Sequence, residues 1–392
     1  MIMAFLPGFC SILIIVTPQR LATRELSYRL SASRRVLFTT TERHVSDDQV
    51  PSKGALAGAK ARRLEVPADG VFDYFKSTDG ERIRFARCPA SKVLDIKGTV
   101  IFLPGRTEFI EKFIEDIRVF NSVGFACAAM DLRGQGMSHR PHSNRDKHFV
   151  HSFEPHIDDV KALFDQVLTN KMPKPYILMG HSAGSHVILR VLHDHPGIAD
   201  AAILVAPMVE INSGGIPMVV TRCLAWVMRH LGLGTAYLPG HTAFKEGRWG
   251  WRKLLTSDEE RFGDEDFFIN NRDKRLAVGG ATFKWLWEAL KSTNILNSPG
   301  YAEAIKAPVL VLQAGEDTIV DNNKQSAFVE RLPNGNLVRI EGALHEILKE
   351  TDVHRAQVWQ AIGEFIDLEN GPQFGEDTLQ SGQSEKQKQK DD

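Results

Sequence analysis

The chain has 392 residues, 43% of them hydrophobic, and a formal net charge of −1 at pH 7. This length accommodates one α/β domain with an insertion and terminal extensions, and it is sufficient to bury a substantial core. A net charge near zero gives no indication of a nucleic-acid partner. The four cysteines are scattered without metal-binding or CxxC spacing (Cys10, Cys88, Cys127 and Cys223). We therefore expect free thiols in a reducing compartment, the cytoplasm, rather than a disulfide framework.

Both ends of the chain differ in composition from the part between them. Residues 1–66 begin with an interrupted apolar stretch that is too short to span a bilayer comfortably, and they continue as a basic segment. For this leader, a peripheral membrane anchor, an organelle-targeting segment and an extension with no folded role all remain open. Residues 371–392 are rich in Gln, Lys, Ser and Asp, which predicts a disordered tail.

Between the two ends, short apolar stretches alternate with amphipathic ones. An Asp-Gly turn predicts a hairpin over residues 72–86. The apolar stretches predict buried strands at 99–103, 125–130, 175–179, 201–205, 309–312 and 337–340. Helical periodicity predicts helices at 108–121, 153–168, 185–194 and 352–368. The alternation predicts an α/β domain over residues 67–370, with a mostly parallel sheet covered by helices on both faces.

The alternation stops between about residues 208 and 301. This segment contains several apolar stretches and the aromatic run 283–287. An insertion of this size after a strand predicts a cap over the carboxyl edge of the sheet, where ligands bind in such folds. Its apolar residues either contact a lipid or pack the cap onto the domain, and both interpretations remain open.

The motif Gly180-His181-Ser182-Ala183-Gly184 lies between a predicted strand and a predicted helix. A serine on such a sharp turn exposes its hydroxyl at the edge of the sheet, and its neighbours must be small because the backbone is strained. We therefore predict that Ser182 is a nucleophile.

A serine nucleophile needs a base and a carboxylate that orients the base, and both are expected on loops after later strands. Asp317 follows the strand at 309–312, and we prefer it to Glu316 and Asp321 in the same loop. His345 follows the last strand and precedes the last helix. We prefer His345 to His354, which is expected within that helix.

Acyl transfer also requires hydrogen-bond donors for the developing oxyanion. We expect one donor to be the backbone N–H of Ala183, directly after the nucleophile, and the other that of Arg106, in the loop after the strand at 99–103. The Arg106 side chain either meets an anionic group of the substrate or pairs with Glu108, and both remain open.

As a set, these motifs resemble the α/β-hydrolase superfamily, and within it the bacterial lysophospholipase and monoacylglycerol lipase group of serine aminopeptidase-like hydrolases. The resemblance rests on segments 103–108, 131–138, 180–184, 255–262, 313–321 and 341–345. It implies an α/β-hydrolase fold with a cap, a triad of Ser182, Asp317 and His345, an oxyanion hole from the Arg106 and Ala183 amides, and no cofactor or metal. Many relatives have His-Gly where this chain has Pro104-Gly105. The lysophospholipase branch shares Pro-Gly, which favours that branch.

The predicted function is hydrolysis of carboxylic esters through an acyl-enzyme. The expected substrate is a lipid-like ester with one acyl chain, a lysophospholipid or a monoacylglycerol, because the cap is apolar. Peripheral contact with a membrane, through the leader, remains open as a further interaction. Acyl transfer or aminopeptidase activity on the same triad remains open, as does a non-catalytic lipid sensor with this fold.

Overall fold

The computed structural model describes residues 63–366, apart from 68, 91–93 and 248–252. The predicted tail and residues 1–62 of the predicted leader lie outside the described residues. Of the residues assigned to the leader, Leu64 is buried and Arg63 forms ion pairs with Glu115 and Asp264.

The described residues form an eight-stranded sheet in the order β1-β2-β4-β3-β5-β6-β7-β8. The strands are β1 (Val71–Lys76), β2 (Arg82–Cys88), β3 (Gly98–Leu103), β4 (Phe125–Met130), β5 (Tyr176–His181), β6 (Ala201–Val205), β7 (Val309–Ala314) and β8 (Gly335–Ile340). The first two strands form the predicted antiparallel hairpin, and β2 also pairs antiparallel with β4. All the other pairings are parallel. The prediction of a mostly parallel α/β sheet is confirmed.

Helices cover both faces of this sheet. Their bounds are α1 (Ile114–Ser122), α2 (Glu154–Leu163), α3 (Ala183–Asp194), α4 (Met218–His230), α5 (Glu259–Phe262), α6 (Asp264–Asn271), α7 (Phe283–Leu296), α8 (Tyr301–Ala304), α9 (Asn322–Val329) and α10 (Asp352–Phe365). None of the helices in this part of the chain is long and apolar enough to cross a membrane.

The core forms two layers because successive residues of a strand point to opposite faces of the sheet. Ile101 of β3 packs in one apolar cluster with side chains of α2 and α3. Its neighbour Phe102 packs in the other cluster with side chains of α1 and α10. Every residue of β3, β4, β5 and β6 is buried, which explains why these strands are continuous apolar runs rather than alternating patterns.

Two predicted helices differ from the structure in their local geometry. The helix predicted at 108–121 begins as a 3₁₀ turn, Ile110–Phe113, before α1. Its first two residues are not helical, since Glu108 turns its carboxylate back to accept the Gly105 N–H and Phe109 is extended. The helix predicted at 153–168 ends in a π-helical turn, Phe164–Leu168, after α2.

Helices α4 to α7 lie within residues 208–301, between β6 and β7, and we call this segment the insertion. Helix α7 contacts α3, which carries the serine motif. Arg261 of α5 lies 2.9 Å from Glu115 of α1, so a partly buried ion pair also joins the insertion to the sheet-covering helices.

Candidate active site

Ser182 occupies a strained turn between β5 and α3. Its φ of +50° and ψ of −111° are outside the regions that residues with a side chain ordinarily adopt. A Cβ atom at Gly184 would overlap the Leu103 carbonyl oxygen, and one at Gly180 would lie 2.7 Å from the Ser185 nitrogen. Both flanking glycines are therefore required by close backbone packing.

The structure brings Ser182, His345 and Asp317 together from the loops that follow β5, β8 and β7. The His345 Nε2 atom lies 3.0 Å from the Ser182 hydroxyl oxygen, and its Nδ1 atom lies 2.7 Å from Asp317 Oδ2. Ser182 and His345 are 6% and 4% exposed. These three groups form a continuous hydrogen-bonded chain at the carboxyl edge of the parallel strands.

The Asp317 carboxylate is held in its charged form. Burial alone would raise its pKa, but the adjacent His345 ring and the Ile319 and Val320 N–H groups lower the pKa below its usual value. These N–H groups donate to Asp317 Oδ1 at 2.8 and 3.1 Å. A charged Asp317 keeps the proton of His345 on Nδ1, which leaves Nε2 free to accept the Ser182 hydroxyl proton.

The rival residues have other contacts. Asp321 caps α9, where its carboxylate accepts the Asn323 and Lys324 N–H groups at 2.9 and 3.1 Å. Glu316 is exposed. His354 lies in α10, with Nδ1 3.4 Å from Glu350.

Of the two residues predicted to donate to the oxyanion, Ala183 directly follows Ser182, and Arg106 lines the same cavity as Ser182. Ala183 is the first residue of α3, where a backbone N–H has no acceptor within the helix. Arg106 lies in the loop after β3, and the side chain of Gln135 braces this loop. Its Nε2 donates to the Gly105 carbonyl at 2.6 Å, and its Oε1 accepts the Thr107 N–H at 3.1 Å.

A buried charge cluster behind Ser182 was not expected from the sequence. The His181 Nδ1 atom lies 3.0 Å from Glu108 Oε2, and its Nε2 atom lies 3.1 Å from the His345 carbonyl oxygen. Lys112 contacts Glu108 at 3.0 Å and Glu346 at 2.8 Å. A Cβ atom at Gly105 would lie 2.6 Å from His181 Nδ1, so this glycine makes room for the pair.

The pKa values of this cluster favour a salt bridge. Burial would lower the pKa of His181, but the Glu108 carboxylate outweighs it and raises the pKa. Burial would likewise raise the pKa of Glu108, whereas His181 and Lys112 hold it well below its usual range. A doubly protonated His181 can donate to Glu108 and to the His345 carbonyl at once. One feature of the sequence could have indicated this ion pair. Glu108 lies three residues after Gly105, in the loop that approaches the nucleophile.

Of the two interpretations of the Arg106 side chain, pairing with Glu108 is not observed. The Glu108 carboxylate contacts Gly105, His181 and Lys112. The Arg106 guanidinium instead lies 5.7 Å from the centre of the Trp285 ring, in the insertion.

A cavity of about 410 Å³ opens above Ser182, between the sheet edge and the insertion. Its lining combines apolar side chains, among them Phe244, Leu255 and Ile319, with charged ones, among them Arg106, Lys245 and Glu265. Because both kinds of side chain line the cavity, it can receive an apolar chain and a polar group next to the serine hydroxyl.

The described residues contain no cluster of three or more His, Cys, Asp or Glu side chains that could hold a metal ion.

The sheet order, the strained serine turn and the hydrogen-bonded chain define the class of protein as an α/β-hydrolase. Residues 95–352 match the family model described as serine aminopeptidase, S33. Lysophospholipase L2 of Escherichia coli (strain K12) is 30% identical over 76% of this chain and 88% of its own length.

Solved structures have the same fold. A soluble variant of monoglyceride lipase from Saccharomyces cerevisiae superposes with a TM-score of 0.61 at 18% identity, covering 78% of this chain and 96% of its own. Monoacylglycerol lipase of Paleococcus ferrophilus gives a TM-score of 0.55 at 20% identity, covering 72% and 98%. The chain belongs to the S33 serine aminopeptidase family of α/β-hydrolases, and it is an ester hydrolase.

Proposed function

We propose that this protein is a lysophospholipase that cleaves its substrate with a Ser182–His345–Asp317 triad. The observation that carries the proposal is the hydrogen-bonded chain from Asp317 through His345 to Ser182, beneath a cavity of mixed polarity. The similarity to lysophospholipase L2 supports the choice of substrate.

In the proposed mechanism, His345 Nε2 removes the Ser182 proton while the hydroxyl oxygen attacks the ester carbonyl carbon. Asp317 stabilises the resulting imidazolium through Nδ1–H, because its lowered pKa keeps it ionised at neutral pH. His345 then protonates the departing alcohol, which leaves an acyl-enzyme. Water, deprotonated by the same histidine, hydrolyses this intermediate and restores Ser182.

The Arg106 and Ala183 amides are the proposed donors to the oxyanion. Each such donor typically contributes about 3 kcal/mol to stabilisation of the transition state. Gln135 supports this role, since it fixes the loop that carries Arg106.

We further propose that residues of about 208–301 act as a cap that receives the acyl chain. The position of the insertion beside the cavity supports this role. The cytoplasm remains our proposed compartment, which rests on the unpaired Cys88, Cys127 and Cys223. Peripheral contact with a membrane would bring the enzyme to its substrate.

Two other substrate classes follow from specific observations. The solved monoacylglycerol lipases share the fold, so a monoacylglycerol is the second candidate. The family description favours an aminopeptidase activity on the same triad as the third.

The test is acyl release from lysophosphatidylcholine, a monoacylglycerol, a short p-nitrophenyl ester and an aminoacyl amide. We expect the lysophospholipid to be preferred, and Ser182→Ala to lower kcat roughly 10⁴-fold or more without loss of folded protein. Ser298→Ala, at a half-buried serine whose hydroxyl donates to the Ile295 carbonyl, is the matched control and should retain full activity. Retained ester hydrolysis in Ser182→Ala would overturn the mechanism. Preference for another substrate would overturn the lysophospholipase assignment alone.

A further inference from the structure

Arg106 places a cation in the cavity above Ser182. Both residues line this cavity of about 410 Å³. Gln135 fixes the backbone on either side of Arg106, because its Nε2 donates to the Gly105 carbonyl at 2.6 Å and its Oε1 accepts the Thr107 N–H at 3.1 Å. The Arg106 side chain therefore starts from a rigid position in the same cavity as the serine hydroxyl.

The Arg106 guanidinium is oriented by an aromatic ring of the insertion. It lies 5.7 Å from the centre of the Trp285 ring, near the start of α7. Attraction between a cation and an aromatic ring holds a guanidinium in place without neutralising its charge. Arg106 is only half-buried, so a ligand in the cavity can reach it. Trp285 thus orients this cation and leaves its charge available to a ligand.

The electrostatic potential around Arg106 favours an anion. His241 lines the same cavity, and burial together with the charge of Arg106 lowers the pKa of His241 to about 4. Burial and Arg106 also hold the pKa of His148 well below its usual value. The His241 ring accepts the Ala281 N–H on Nδ1 at 3.0 Å, so its own proton is on Nε2. Positive charge therefore dominates this end of the cavity, beside a neutral ring that can donate a hydrogen bond.

The carboxylates of the cavity are gathered around a different cation. Four glutamates line the cavity, namely Glu108, Glu246, Glu265 and Glu346. Lys112 lies 3.0 Å from Glu108, 2.8 Å from Glu346 and 3.8 Å from Glu265. Glu246 is exposed. The contacts with Lys112 do not involve Arg106, so an anion can approach the guanidinium without breaking them.

We infer that the Arg106 side chain binds the phosphate of a lysophospholipid headgroup and thereby selects this substrate over a monoacylglycerol. In a lysophospholipid only the glycerol unit separates the phosphate from the acyl ester, so the phosphate enters this cavity when the ester carbonyl meets Ser182. A planar guanidinium matches two phosphate oxygens with two parallel N–H groups. The inference rests on the proposed function for the ester chemistry, and it adds the residue that chooses among substrates.

A matched pair of substrates tests this selection. The values of kcat/KM are measured for a lysophosphatidylcholine and a monoacylglycerol with the same acyl chain, in micelles of the same neutral detergent. We expect Arg106→Gln to lower the ratio of the two values roughly tenfold or more, as for loss of one charged hydrogen bond. Arg106→Lys should retain more of the ratio, because it keeps the charge and loses only the fork. Any change in the oxyanion hole affects both substrates and cancels in the ratio.

Arg229→Gln is the matched control. Arg229 is exposed on α4, where its guanidinium lies 6.0 Å from the centre of the Trp287 ring, and it does not line the cavity. This variant loses a comparable contact between a cation and a tryptophan and should keep the parent ratio. Equal losses on both substrates in Arg106→Gln would show that Arg106 only packs against Trp285, and the inference would be overturned.

A second readout separates this inference from the proposed function. Glycerophosphocholine and glycerol are compared as inhibitors of the hydrolysis of a short p-nitrophenyl ester. We expect competitive inhibition by glycerophosphocholine, much weaker inhibition by glycerol, and an inhibition constant for glycerophosphocholine that rises roughly tenfold in Arg106→Gln. Inhibition that depends on Arg106, in an enzyme that prefers monoacylglycerol, would contradict the proposed lysophospholipase function alone. A lysophospholipid preference that Arg106→Gln leaves intact would contradict the phosphate site alone.

Discussion

His181 and Glu108 form a buried ion pair directly behind the nucleophile, with 3.0 Å between Nδ1 and Oε2. The other ring nitrogen of His181 lies 3.1 Å from the backbone carbonyl of His345. Glu108 also accepts the Gly105 N–H, at the start of the loop that carries Arg106. One salt bridge therefore joins the loop of the proposed oxyanion hole to the backbone of the proposed base.

We expect Glu108→Gln to lower the pKa of His181. Without the carboxylate, burial dominates and favours the neutral imidazole. The variant should lose about 3 kcal/mol of unfolding free energy at pH 6, and ester turnover should fall because the two loops loosen. NMR titration of the His181 imidazole measures the pKa, denaturant unfolding measures the stability, and acyl release from an ester measures the turnover.

The sign of the pH dependence provides a second check. A raised pKa in the folded state gives His181 a stabilising contribution that is full below its unfolded value and declines as pH rises through the folded value. This decline should be present in the parent and absent in Glu108→Gln. Glu341→Gln, at an exposed carboxylate paired with Arg339, is the control and should leave the His181 titration unchanged. An unchanged titration in Glu108→Gln would contradict the salt bridge.

Asp317→Asn should lower kcat by about 10⁴-fold while the fold is retained, because an amide no longer stabilises the Nδ1-protonated imidazole of His345. Single-turnover kinetics on a p-nitrophenyl ester measure the effect. Asp321→Asn, in the same loop, should keep kcat and cost at most about 1 kcal/mol of stability through the α9 cap. If Asp321→Asn were the slower enzyme, Asp317 would not be the acid of the triad.

Gly184→Ala should destabilise the protein by roughly 2–3 kcal/mol, because the new methyl group would overlap the Leu103 and Pro104 carbonyl oxygens. Displacement of this backbone should also lower kcat, since Ser182 and the Arg106 loop meet there. Thermal unfolding and ester turnover are the measurements. Gly234→Ala, where the nearest side-chain atom is 3.6 Å from the added carbon, is the control. Equal stability of the two variants would refute the packing argument.

Glu115→Gln should cost about 3 kcal/mol at pH 7, since Glu115 lies 2.9 Å from both Arg63 and Arg261. Burial would raise the pKa of Glu115, but Lys349, Arg261 and Arg355 lower it far below its usual value. A lowered folded-state pKa contributes stability above the unfolded value, and this stability is lost as pH falls through the folded value.

The difference between Glu115→Gln and the parent should therefore shrink as pH falls below about 4. Urea unfolding at several pH values measures it. Asp273→Asn is the control, because Asp273 pairs with Arg275 at the surface and such pairs contribute little. A deficit in Glu115→Gln that does not change with pH would argue against a charged Glu115.

The strands and the serine turn could be predicted because their signals are local. The apolar runs of β4 and β6 coincide with the predicted bounds, since a strand covered on both faces must be apolar throughout. The helix predicted at 108–121 began too early, because Glu108 bonds to Gly105 and His181 instead of entering a helical turn. That contact joins residues 73 positions apart, and no periodicity in the sequence reports it.

By itself, the sequence determined which strands are buried, where the chain turns sharply at Ser182, and which loops follow the strands that end at one edge of the sheet. Those features depend on side chains within a few residues of each other. Only the tertiary structure decided that Glu108 pairs with His181 rather than Arg106, and that α4 leaves an apolar side free. Each depends on which distant elements pack together, because packing sets the distances between charges and determines which apolar side chains are covered.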